Sequence, residues 1–197
     1  TIHQAMFDYL SVKPVDGLLL KYKHFYGSYD FVGDSRRWYR QEIRVIRNDK
    51  NISSYRDAQG FRKENKKLNV KAVDAYIYHY GWVRPPELMQ SKKKEQDSMH
   101  HGKEVIDSEY KLKPDEFDYG PLGKVPKFVG THPKAMAPFI AKMNWEGKLY
   151  QTKQGVITRD KMKHEKVKYR VVTFLENVFN GGRQFFGYSN WNLIRKK

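Results

Sequence analysis

The chain contains no cysteine, which excludes disulfides, thiolate metal sites and cysteine nucleophiles together. It has no apolar run of transmembrane length and no signal-peptide pattern; the longest uncharged apolar stretch near its start is Gly17-Leu18-Leu19-Leu20, the opening of a strand. No Gly-x-Gly-x-x-Gly or Walker-type loop is present to cradle a phosphate. An initiator methionine is missing too: Thr1 stands first, and Ile2 to Leu10 reads as an amphipathic helix already under way. The expectation is a chain that begins inside a domain. Acid is the scarce charge, with 22 Asp and Glu against 38 Lys and Arg, a net charge of +16. That excess favours anionic partners (nucleic acid, phosphorylated small molecules or an anionic membrane surface) unless it is simply a lysine-rich surface.

What is present is aromatic. Fourteen Tyr, 11 Phe and 4 Trp make up 15% of the residues, enough to separate this chain from a disordered polycation despite a mean hydropathy of −0.84. Its 197 residues give room for a single domain with a core. Strands are expected over Leu18 to Phe25, Trp38 to Arg47 and Val70 to Tyr80, with Ile52 to Arg62 irregular or a short strand and Lys63 to Lys67 a charged loop. In the second strand Tyr39, Ile43 and Val45 fall on odd positions, and Arg40, Glu42, Arg44 and Ile46 on even ones. Pro85 and Pro86 open a helix running to about His100 with Lys92-Lys93-Lys94 on its exposed side. Residues 103–127 show little periodicity. Thr131-His132-Pro133 caps a helix over Lys134 to Met143, and a last helix covers Arg159 to Asn180, with Val167, Val171, Phe174, Leu175 and Val178 at helical spacing and Gly181-Gly182 as its stop. The class is α/β, with a strand-rich part over 1–84 and a mainly helical part over 85–197. A sheet this small implies that something packs beside it.

The candidate chemistry clusters at strand ends. Ile77-Tyr78-His79-Tyr80-Gly81-Trp82-Val83-Arg84 delivers a histidine, a tryptophan and an arginine to the end of an aromatic strand, the place where α/β proteins hold ligands. A neutral His79 imidazole there suits a divalent ion or a phosphate oxygen, or is a buried histidine bonded to backbone. Trp82 and Arg84 suit a nucleobase or sugar and a diphosphate. Upstream, Arg36, Arg37, Trp38, Tyr39, Arg40 and Arg44 interleave cations with rings, as in a single-strand nucleic-acid binder or a transferase pocket; alternating arginines are also a common solvent face. Asp57 lies between Arg56 and Arg62 with Gln59 close by, a carboxylate suited to general-base work or to an arginine-paired turn. His3, His100 and His101 fit no metal spacing. The lysine-rich stretches at 62–67, 92–94 and 161–170 read as solvated faces, or more sharply as contacts for anionic lipid.

Taken in order, RRWYRQEIRVIRN, SSYRDAQGFRK, YIYHYGWVRPPELM and FVGTHPKAM resemble the later part of a bacterial family 2 glycosyltransferase of the GT-A fold, and the likeness extends to the tail Gly187-Tyr188-Ser189-Asn190. The resemblance implies a partial GT-A-like mixed sheet followed by C-terminal helices, without the nucleotide-binding unit and acidic motif that precede them in such enzymes. It implies transfer of a sugar from a nucleoside diphosphate sugar to a hydroxyl of a surface-glycan or lipid-linked acceptor, dependent on Mn²⁺ or Mg²⁺. His79 would face the metal or diphosphate, Asp57 would be the catalytic base, and Trp38, Arg44, Gln59, Arg62, Trp82 and Arg84 would line the cleft. The turn here reads Asp-Ala-Gln-Gly where some relatives carry a His-Glu pair. The expected place is the cytoplasm, with peripheral contact at the inner face of an anionic membrane; the chain alone is expected to turn nothing over, and self-association through an exposed sheet edge stays open. The rival expectation is a basic nucleic-acid-binding module without catalysis, which would match no RNP, KH or helix-turn-helix pattern.

Overall fold

The computed structural model describes residues 2–11, 14–56 and 60–194. The chain is mixed α/β, a mixed sheet followed by helices. The strands are β1 (Gly17–Tyr26), β2 (Val32–Gly33), β3 (Gln41–Ile46), β4 (Ile52–Tyr55), β5 (Gly60–Lys63), β6 (Lys66–Lys67), β7 (Asn69–Trp82) and a late β8 (Asn192–Leu193). The α-helices are α1 (Ile2–Ala5, continued by a wider π turn over Met6–Leu10), α2 (Pro86–His101), α3 (Lys103–Tyr110), α4 (Ala137–Ala141) and α5 (Val167–Phe179). Among the described residues no helix is long and apolar enough to cross a membrane. Cα packing resolves two compact units: Thr1–Lys23, Trp38–Tyr78 and Val172–Lys197 form the first, His24–Arg37 and His79–Val171 the second.

One sheet runs β2-β1-β7-β8, with β3 also pairing to β1. The Asp16 N–H donates to the Asn69 carbonyl (2.7 Å) before β1, and the Gly27 N–H to the Trp82 carbonyl (2.9 Å) after it. β1 and β7 therefore run in the same direction and end at the same edge, which is how His24 and His79 come to be neighbours.

In the first unit β3 lies antiparallel on β1, and the pairing shifts between Leu18↔Val45 and Leu19↔Ile43. Arg44 is the extra residue of that bulge, and the shift undoes the strict alternation expected from sequence. Ile43 packs in one cluster with Leu19, Leu68 and Val70, whereas Val45 packs in another with Ala5, Leu18 and Leu20. The fully buried side chains among them, such as Ile43 and Leu18, each contribute about 1.5–3 kcal/mol. The expected charged loop at 63–67 is instead a tight hairpin. β4, β5 and β6 form a three-stranded antiparallel sheet, and β5 turns into β6 through Glu64 and Asn65. Both turn residues have positive φ (49° and 64°), the geometry a two-residue hairpin of right-handed twist demands.

The second unit is built around rings. Phe25, Tyr26, Phe31, Met89 and Leu122 are fully buried, and the Trp145 indole N–H donates to the Gly27 carbonyl at 3.0 Å. Gly27 has φ +76°, and a Cβ there would meet Leu122 Cδ1 at 2.9 Å, so the turn after β1 needs glycine on both counts. Several expected helices change. α3 forms inside the stretch expected to be aperiodic. The segment after Thr131-His132-Pro133 is a 3₁₀ turn over Lys134–Met136 and then the short α4, with no side-chain cap. The last helix begins at Val167 rather than near Arg159, because Glu165 is committed to a short 3₁₀ turn that also receives the Met162 N–H at 2.6 Å.

Candidate functional site

The strand ends of the second unit hold the densest chemistry. His24 is buried, and its Nδ1 lies 3.1 Å from Nδ1 of His79, with the rings edge-on at 66°. Two nitrogens at that distance share one proton, so one imidazole donates Nδ1–H and the other accepts, and the pairing sets both tautomers. Gly81 makes this possible: a Cβ at Gly81 would lie 2.6 Å from Cε1 and 2.9 Å from Nε2 of His79.

Beside the pair, the Arg37 guanidinium carbon is 4.6 Å from the ring centre of Tyr26 and 4.6 Å from that of Trp82. Its Nη1 is 3.2 Å from Nδ1 of His164, which therefore accepts. Burial, reinforced by the Arg37 charge, pushes the His164 pKa down to about 3, so this imidazole is neutral and fit to accept. Tyr26 is wholly buried and donates to the Tyr119 carbonyl (3.1 Å), and Tyr119 in turn donates to the Arg84 carbonyl (2.9 Å). Burial raises both phenols above their ordinary value, which keeps them protonated as donors. Glu165, with its side chain fully enclosed, is clamped by Arg159 through Nη1–Oε2 (2.8 Å) and Nη2–Oε1 (3.0 Å).

Arg84 is exposed at the end of β7, and α2 brings Lys92 back to the same place. Its ammonium donates to the Gly81 carbonyl at 2.6 Å. Burial lowers the Lys92 pKa, and the positive charge of Arg84 lowers it further. The lysine triplet expected on the outer side of α2 is thus half-buried and engaged: Lys93 pairs with Asp97, and Lys94 with Asp107 at 2.6 Å. The arrangement concentrates positive charge beside a histidine pair at the carboxyl ends of two parallel strands.

The expected site residues separate accordingly. His79, Trp82 and Arg84 share the second unit, though Trp82 has Arg37 over its ring and Phe117 tilted at 5.8 Å, so its face is in use. Trp38, Arg44 and Arg62 belong to the first unit. Trp38 is buried before β3 begins. Arg62 is also buried, its guanidinium 4.0 Å above the Tyr55 ring and donating to the Phe61 carbonyl at 2.9 Å. Arg44 binds the Tyr22 hydroxyl and lies 3.4 Å from Glu42. Asp57 and Gln59 lie outside the described residues. Sequence reasoning missed His24, His164 and Lys92 as site residues, and placed Arg37 only within a run of cations and rings. Only Lys92 carried a usable signal, three residues beyond the buried Met89 and so on its face of α2.

The divalent ion implied by the resemblance calls for a carboxylate-bearing donor set. Among the described residues no group of three His, Cys, Asp or Glu is placed to hold one, and Nδ1 of His79 is directed at His24, which leaves Nε2 as its ligating nitrogen. No protein-family model matches the chain, and comparison with curated proteins and with solved structures finds no match either.

Proposed function

We propose that this chain is the acceptor-side and C-terminal part of a GT-A glycosyltransferase that moves a sugar from a nucleoside diphosphate sugar to a hydroxyl of a surface-glycan or lipid-linked acceptor. The order of the sequence motifs supports the reading, and so does the mixed α/β architecture. The observation that carries it is a pair of cations at the carboxyl end of β7, where α/β folds receive ligands: Arg84, exposed just past the strand, and Lys92, whose ammonium donates to the Gly81 carbonyl at 2.6 Å. As the nucleoside diphosphate departs, charge builds on its oxygens, and cations already in position stabilise it without reorganising. In the tautomer with His24 as the Nδ1 donor, the His79 proton sits on Nε2 and can donate to a phosphate oxygen. Asp57 is assigned the acceptor proton.

The test is thermal unfolding of the chain with UDP-, GDP- and dTDP-sugars, with and without Mn²⁺, in wild type, Arg84→Ala and Lys92→Met. A ligand at about one hundred times its Kd adds about 2.7 kcal/mol, or about 5–10 °C for a chain of this size. We expect one nucleotide class to give that shift and both variants to lose it. No shift with any donor, or a shift kept by both variants, would refute the reading. A short oligonucleotide in the same plate serves the rival reading, which draws on Lys23 lying 4.7 Å from the Tyr76 ring in the first unit; binding that falls steeply with salt would favour it.

A further inference from the structure

Helix α5 is inside out. Its inward face is Tyr169, Val172, Thr173 and Glu176, and Glu176 is completely buried. Its outward face is apolar: Val167 (74% exposed), Val171 (53%), Phe174 (64%), Leu175, Val178 (56%) and Phe179 (74%). At about 100° per residue these six form one continuous stripe, about 20 Å long over the helix. Surface helices ordinarily turn such a stripe toward the core, and a contiguous exposed apolar patch marks something that covers it.

The charges around the stripe identify what that is. Lys168 lies along one border of the helix and Arg170 along the other, both exposed. The helix's one acid, Glu176, is buried, so the outward face presents cations and no carboxylate. Two copies meeting through this face would bring four cations to its border with no carboxylate to pair them, and the cores of protein interfaces are depleted in lysine. An anionic bilayer matches both features: aromatic and aliphatic side chains enter the acyl boundary while flanking Lys and Arg stems lie along it with their heads at the phosphates. We infer that α5 is an interfacial docking helix that seats the protein on an anionic phospholipid surface. The inference does not rest on the transferase reading, because it uses neither the strand-end site nor a nucleotide.

The experiment is flotation of the full chain with vesicles of pure phosphatidylcholine and with vesicles containing phosphatidylglycerol, over a salt series. Wild type, Phe174→Ser/Phe179→Ser and Lys168→Glu/Arg170→Glu are compared, with melting temperatures confirming that these surface variants fold. We expect binding to the anionic vesicles, little to the neutral ones, and about a tenfold or greater loss of partitioning in each double variant. Equal binding to both vesicle types would overturn the inference. So would full binding by the phenylalanine variant, which would reduce the effect to adsorption of a basic chain. A dimer in sedimentation velocity that the phenylalanine variant abolishes, without vesicle binding, would make this face a contact between copies and overturn it equally.

Discussion

Arg159→Ala should be among the most damaging single changes in the second unit. Glu165 has no exposed side-chain surface, and two hydrogen bonds from Arg159 plus the Met162 N–H hold its carboxylate. Burial by itself would raise the Glu165 pKa, yet those donors outweigh it and leave the pKa below the ordinary value. Removing Arg159 strands a buried charge, which costs about 3–5 kcal/mol, or about 6–20 °C in melting temperature at this chain length. The sign of the pH dependence follows. In wild type the depressed pKa means stability present above the unfolded value and lost as pH falls through the folded one. In Arg159→Ala burial is less opposed, so the Glu165 pKa rises and acid relieves the defect; the gap from wild type should narrow between pH 7 and pH 4. The double variant Arg159→Ala/Glu165→Gln, which has no charge to strand, should melt above Arg159→Ala alone. Urea unfolding of wild type, Arg159→Ala, Glu165→Gln and the double variant at both pH values closes the cycle. A cost below about 1 kcal/mol, the range of exposed pairs, or a double variant no better than the single one, would refute the argument.

Two further outcomes test the site directly. Gly81→Ala should drive the His79 ring off His24, since the new methyl group would lie 2.6 Å from Cε1; imidazole ¹⁵N shifts of both histidines should change, and unchanged shifts would deny that glycine makes the room. His164, whose folded pKa is about 3, must take up a proton on unfolding below its ordinary value near 6.5. Stability should therefore fall with decreasing pH, by up to about 1.4 kcal/mol per unit below that value. The loss between pH 6.5 and pH 5, where carboxylates contribute little, should be flatter in His164→Asn, and equal slopes would mean that the imidazole is not buried neutral.

The parts of the fold that local pattern controls were readable from the residues. Strand β1 announces itself through Leu18-Leu19-Leu20, β7 through its run of β-branched and aromatic residues, and α2 through the Pro-Pro start. What could not be read depended on pairing partners distant in sequence. Nothing in Arg40 to Ile46 reveals that Arg44 is a bulge, because the shift belongs to its register with β1. Equally, nothing in Lys63-Glu64-Asn65-Lys66 outweighs its charge until two positive φ values close a hairpin. At the candidate site the residues of YIYHYGWVR stood out in sequence, whereas the groups that meet them come from other elements: His24 of β1 at His79, and Lys92 of α2 at the Gly81 carbonyl.

The inversion of α5 has a local cause as well as an external consequence. Glu176 accepts the Phe185 N–H on Oε1 at 2.8 Å, and its carbonyl accepts the N–H groups of Asn180 (3.0 Å) and Gly182 (2.8 Å). Gly181 and Gly182 supply the positive φ values (55° and 78°) that reverse the chain there. The helix therefore turns inward the face that anchors its own C-terminal reversal, the Phe185 N–H holding the carboxylate and the other two N–H groups the backbone carbonyl. With Glu176 facing in, the spacing of the helix compels Phe174, Val178 and Phe179 to face out. The exposed stripe and the anchored tail thus lie on opposite faces of one helix, and a single substitution separates their causes. Glu176→Leu should loosen the Phe185–Trp191 segment, seen as faster amide exchange at Phe185 and Gly182, while α5 keeps its outward face and its vesicle binding. If instead the helix rolled and vesicle binding vanished, the stripe would be a core face held out only by Glu176.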